Sequence, residues 1–133
     1  MSSHSALRVA VIGLGWWGKT IVGYLKNARN IEVSCVTDLQ TQAGQAFATA
    51  QGLKFVDRYE DALSDPQVQA VILCTPHSMH TEQMQAAVRA GKHIFCEKPL
   101  TLTRADALST VQAVQQHGLV LGVGHERRFE PPI

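Results

Sequence analysis

The chain has 133 residues, 45 % apolar and 17 % charged, and its 12 Lys and Arg against 11 Asp and Glu leave a formal net charge of +1. One domain with a packed core fits that length and composition, whereas a broad basic face for nucleic acid and an acidic disordered chain do not. No apolar run approaches the roughly 20 residues of a membrane helix, residues 1–5 lack the regions of a secretory leader, and three cysteines are too few for a disulfide framework, so a cytoplasmic protein with neither nucleic acid nor membrane as partner is expected.

Leu7–Ile12 is short, rich in branched residues and apolar except for Arg8, and it ends at a glycine turn, so it reads as a strand. A helix follows in which Trp17, Ile21, Tyr24, Leu25 and Ala28 share one face. Ile31–Thr37 is a second strand, Thr41–Gln51 a helix closed by Gly52, residues 54–56 a short third strand, and residues 59–63 a short helix stopped by Asp65 and Pro66. Residues 70–74 make the fourth strand, and the next helix ends at Gly91. Residues 93–96 make the fifth. The last helix starts at Arg104 behind the cap Thr103, with Asp106 completing the capping pair and Leu108, Val111 and Val114 on one face. Gly118 closes it and residues 119–123 are the sixth strand. Strands apolar on both faces, alternating with helices, predict an α/β protein. Its architecture is a doubly wound parallel sheet of six main strands with helices on both faces, one domain over residues 1–133.

Gly13-Leu14-Gly15-Trp16-Trp17-Gly18 is a G-x-G-x-x-G directly after the first strand. Gly13 suits the tight turn, Gly15 lets a pyrophosphate approach the backbone, and Gly18 lets the helix pack close to the strand. A pyrophosphate there meets the N–H groups and dipole of a helix N-terminus. Asp38 closes the second strand twenty residues after Gly18, where an acid accepts hydrogen bonds from ribose hydroxyls. The pattern is that of a Rossmann dinucleotide-binding fold. An acid repels a 2′-phosphate and no Lys or Arg lies between Asp38 and Lys54, which favours NAD over NADP. Methyltransferases that use S-adenosylmethionine share such a turn and acid, so these residues alone leave both readings open. Trp16 and Trp17 either pack and cover surface, or set an indole beside a cofactor or substrate.

Ligands of open α/β sheets lie outside the carboxyl ends of the strands. Thr75-Pro76-His77-Ser78-Met79-His80, Glu97-Lys98-Pro99 and Gly124-His125-Glu126-Arg127-Arg128-Phe129 follow the last three strands there. With the glycine turn and the run Ala90-Gly91-Lys92-His93, these segments resemble the Gfo/Idh/MocA oxidoreductases, a family that includes glucose-fructose oxidoreductase and inositol dehydrogenase. The resemblance runs from about Leu7 to the end of the chain, and Glu97-Lys98-Pro99 is its most specific element.

That resemblance implies an NAD(P)-binding domain of an enzyme that moves a hydride to or from a sugar or cyclitol carbon. It implies that Lys98 stands near the nicotinamide and the reacting hydroxyl as the catalytic group, polarising an oxygen or taking part in proton transfer. Glu97 would orient its loop or bond to the ribose. Thr75 and Pro76 would line the ribose and diphosphate side, and His80 would be a loop or cofactor contact. His77 stands where the family often has Asn. Arg127 and Arg128 would lie near the carboxamide or pair with acidic neighbours. The substrate domain is expected to be absent from this chain, so a sugar or cyclitol would be bound only with that second domain. Family members usually associate through it, which leaves a homo-oligomer open. Alternatives are a stand-alone dinucleotide-binding module, serving as sensor or as a subunit completed by a partner, and a lyase or hydrolase of the same family that retains NAD. Cys74, His77, His80 and Cys96 have a spacing that suggests zinc. The cysteines sit in apolar strand runs, however, and no metal is expected.

Overall fold

In the computed structural model, which describes residues 5–125 and 131, five apolar runs form one parallel sheet. The strands are β1 (Leu7–Ile12), β2 (Ile31–Thr37), β3 (Ala70–Leu73), β4 (His93–Glu97) and β5 (Leu121–Gly124), ordered β2-β1-β3-β4-β5. Their connections carry α1 (Trp16–Leu25), α2 (Thr41–Gln51), α3 (Tyr59–Ser64), a 3-10 turn at His77–Met79 leading into α4 (His80–Arg89), and α5 (Arg104–Gln116). Thr103 caps α5 as expected, its hydroxyl accepting from the Asp106 N–H at 3.1 Å. None of the described helices is long and apolar enough to cross a membrane.

The ladder has five strands rather than six. The strand expected at residues 54–56 is reduced to one bridge between Phe55 and Val36 beside β2. Its backbone is committed on both sides: the Leu53 N–H closes α2 by donating to the Ala48 carbonyl at 2.8 Å, and the Arg58 N–H donates to the Asp61 carboxylate at the start of α3. Only two ladder bonds remain between them, from Val36 N–H to Lys54 O and from Val56 N–H to Val36 O.

Side chains alternate across the sheet. Ala10, Ile12, Val71, Leu73, Ile94 and Cys96 meet α3, α4 and α5 on one face. Val9, Val11, Val36 and Ile72 meet Val22 of α1 and Ala48 of α2 on the other. Handedness explains the division. The helices that lead directly into β3, β4 and β5, namely α3, α4 and α5, lie on one face. Helix α1, leading back from β1 to β2, lies on the opposite one together with α2, which follows β2 and precedes the Phe55 bridge. Over β3, β4 and β5 that opposite face has only α1 beside it among the described residues. It holds an apolar groove of about 630 Å³ lined by Trp17, Ile21, Tyr24, Ile72 and Phe95 among others.

Two helix faces therefore differ from their spacing. On α1 the buried residues are Gly18 and Val22, Tyr24 is 72 % exposed at the groove, and Ala28 lies past the helix end. On α5 the buried residues are Thr110 and Val114, while Leu108 is 52 % exposed. At the amino ends of the strands, buried Lys92 donates from Nζ to the carbonyls of Asp65 and Val68 at 2.9 and 2.6 Å.

Candidate functional site

From β1 the chain winds outward to β2, then resumes on the other side with β3. The carboxyl ends of β1 and β3 thus flank the point where the winding reverses, and open α/β sheets leave a crevice there. The register aligns the rim. Ile12 pairs with both Thr37 and Leu73, Leu73 pairs with Cys96, and Glu97 pairs with Gly124. The turns that begin at Gly13, Asp38, Cys74, Lys98 and His125 accordingly leave the sheet along one edge.

Each glycine of the first turn has its own steric reason. Gly13 takes φ +95°, and a Cβ there would stand 2.6 Å from the Cys74 carbonyl oxygen. A Cβ on Gly18 would collide with the carbonyl oxygen of Gly13 itself. One on Gly15 would meet nothing within 4 Å. The space above Gly15 is open, and the first-turn N–H groups of α1, which starts at Trp16, border it.

Asp38 is tied to this turn. Its Oδ2 accepts from the Leu14 N–H at 2.5 Å and its Oδ1 from the Gln40 N–H at 2.8 Å. Each oxygen keeps a further lone pair, so a carboxylate held this way can still accept from a pair of hydroxyls. Trp16 is 79 % exposed at the mouth of the turn, whereas the Trp17 indole lies half-buried against the groove, its Nε1 without a partner among the described residues. The two rings lie 5.6 Å apart.

Beyond β3, the Thr75 hydroxyl donates to Gln83 Oε1 at 2.5 Å, and the Tyr59 hydroxyl donates to the Gln83 carbonyl at 2.7 Å. Gln83 and Tyr59 are thus supports of the Thr75 turn that the sequence reading missed. The available signal was a polar residue, Gln83, one turn after His80 on the inward face of α4. Pro76 and His77 are exposed. His80 is wholly buried beneath this turn. Beyond β4, Glu97 is half-buried against Gly124, Lys98 is exposed, and the Lys98–Pro99 bond is cis. Arg127, with Arg128, lies outside the described residues.

The cysteines carry no chemistry in this arrangement. Burial pushes the thiols of Cys74 and Cys96 up to about 12 and that of Cys35 to about 11, with the Glu97 carboxylate adding to the first two. They stay neutral at pH 7, poor nucleophiles and poor metal ligands. Among the described residues, no three His, Cys, Asp or Glu side chains converge as a metal would require. What the rim presents is a helix N-terminus with open space at Gly15, the acid Asp38 tied beside it and Lys98 two strands away.

Comparison with known proteins adds the following. The family model GFO_IDH_MocA, described as an oxidoreductase family with an NAD-binding Rossmann fold, matches residues 7–125. An inositol 2-dehydrogenase of Mycolicibacterium smegmatis is 37 % identical over 96 % of this chain and 38 % of its own. A 1,5-anhydro-D-fructose reductase of Ensifer adhaerens is 40 % identical over 81 % of this chain and 32 % of its own. The solved structure of scyllo-inositol dehydrogenase from Lactobacillus casei, with bound NAD(H) and scyllo-inositol, superposes with a TM-score of 0.87. It is 26 % identical, over 94 % of this chain and 38 % of that one. The chain thus spans between 32 % and 38 % of the length of these three relatives.

Proposed function

The chain belongs to the Gfo/Idh/MocA oxidoreductase family as its NAD-binding Rossmann domain; on that premise we propose that the crevice takes NAD in preference to NADP, for hydride exchange with a sugar or cyclitol carbon. The observation that carries this reading is Asp38, a carboxylate fastened to the glycine turn with no Lys or Arg before Lys54 to balance a 2′-phosphate. NAD would lie with its pyrophosphate over Gly15 at the N-terminus of α1 and its adenosine ribose at Asp38. The nicotinamide end would reach past Thr75 and Pro76 toward Glu97 and Lys98, with Trp16, Trp17 and His77 around it.

When bound, the nicotinamide supplies the hydride acceptor or donor. The part of Lys98 is at the substrate oxygen. Its ammonium stabilises negative charge developing there, and in the oxidative direction its amine form takes the hydroxyl proton as the hydride leaves the same carbon. Glu97 steadies the turn that carries it. A second domain, within the length by which the relatives exceed this chain, would wall in the sugar, exclude water and support self-association. Lys98, exposed on this chain, would acquire its reacting partner only there. We place the protein in the cytoplasm.

The test is calorimetric titration of the chain with NAD and NADP. NAD should bind more tightly. Asp38→Ala should weaken NAD by about 1.5–3 kcal/mol, roughly ten- to a hundredfold, the worth of a charge-assisted hydrogen bond. NADP, which gains nothing from the acid, should lose less. Equal or tighter binding of NADP by the unmutated chain would contradict the assignment.

A further inference from the structure

His80 opens α4 and has no exposed surface. Its Nδ1 lies 2.9 Å from the Pro99 carbonyl oxygen and its Nε2 lies 3.0 Å from that of Thr75. Those carbonyls belong to different turns, one after β3 and one after β4, and both turns border the crevice from which the cofactor is read. A buried ring seated between them, each nitrogen within hydrogen-bond distance of one carbonyl, fixes their separation from inside the core. A neutral imidazole donates to only one carbonyl and turns a lone pair toward the other; the imidazolium donates to both. The ring is therefore a directional link and not an apolar filler. His77, its ring 5.8 Å away and edge-on, is the titratable side chain in ring contact with it.

We propose that His80 is a positioning residue, holding the Lys98–Pro99 turn against the Thr75 turn so that Lys98 stands at a fixed place relative to the glycine turn. The consequence for Lys98 rests on the NAD reading above. The link itself rests on the two contacts between ring nitrogens and carbonyl oxygens alone. Thr75 is braced a second time by Gln83, whereas His80 supplies the bond that joins this turn to the next strand's turn.

The experiment compares the unmutated chain with His80→Phe, which keeps a buried ring without donors, and His80→Gln, which keeps a single donor nitrogen. Carbonyl ¹³C resonances of Thr75 and Pro99 and the amide of Lys98 are followed by NMR, and NAD affinity by calorimetry. In His80→Phe both carbonyl resonances and the Lys98 amide should move, and NAD affinity should fall about tenfold. His80→Gln should return one carbonyl toward its original position and recover part of the affinity. Unmoved resonances in His80→Phe, or NAD affinity within about twofold of the unmutated chain, would reduce His80 to a space-filling residue and overturn the proposal. Should His80→Phe fail to fold, the same resonances in His80→Gln decide: both unmoved overturns the link, and one moved with Lys98 supports it. If the unmutated chain takes up no NAD, that failure belongs to the cofactor reading, and the resonances alone judge the link.

Discussion

Gly15→Val is expected to abolish NAD binding while lowering the melting temperature by no more than about 5 °C. A Cβ at Gly15 meets no atom within 4 Å among the described residues beyond its chain neighbours, so the fold raises no steric objection at that atom. The residue caps α1 with φ −69° and ψ −169°, extended backbone that valine adopts, at the modest cost of a poorer capping residue. The new methyl groups would instead occupy the open space over the first-turn N–H groups, which is the room assigned to the pyrophosphate. Quenching of Trp16 and Trp17, the chain's two tryptophans, on NAD addition measures the binding, and thermal unfolding of the same sample measures the fold. Normal quenching in a well-folded Gly15→Val would place the phosphate site elsewhere.

Gly18→Ala should do the opposite and damage the fold first. Its Cβ would run into the Gly13 carbonyl oxygen, with the Cys74 Cβ 3.5 Å away on another side. Both the helix and the turn would have to shift, since the obstacle is backbone rather than the tip of a flexible side chain. Overpacking of this kind costs about 1–3 kcal/mol, which in a domain of this size lowers the melting temperature by roughly 3–15 °C. NAD binding should be lost with it, because the displaced turn carries Leu14, whose N–H anchors Asp38. Circular dichroism melts of the two variants side by side separate the roles. A Gly18→Ala protein that melts like the unmutated chain would show that the helix does not need its close approach to β1.

Much of this architecture is legible in the residues. Short, mostly apolar runs such as Leu7–Ile12 and Ala70–Leu73 read as strands of a covered sheet, and their alternation with helices points to parallel pairing and right-handed winding. The rim turns are legible for the same reason, since strand ends fix where Asp38 and Lys98 emerge. The reading falters where neighbours rather than local pattern decide. Residues 54–56 have strand composition, yet the closing bond of α2 and the start of α3 leave only Phe55 to bridge. Tyr24 has core spacing on α1, but the sheet face opposite it is a groove. On α5, Thr110 is buried with its hydroxyl unpartnered among the described residues while Leu108 faces outward, a rotation that apolar periodicity cannot register. The bonds from Thr75 to Gln83 and from His80 to Pro99 join residues eight and nineteen positions apart, and nothing in either segment alone announces its partner.

The central claim is that a dinucleotide occupies the crevice at the carboxyl ends of β1, β2, β3 and β4. Amide chemical-shift mapping of the chain during titration with NAD tests it most directly. The account predicts saturable shifts concentrated at Gly13, Gly15, Gly18, Asp38, Thr75 and Lys98, with the amino ends of the strands near Lys92 silent. Shifts centred instead on Ile21, Tyr24 and Phe95, or no saturable shifts at all, would contradict it.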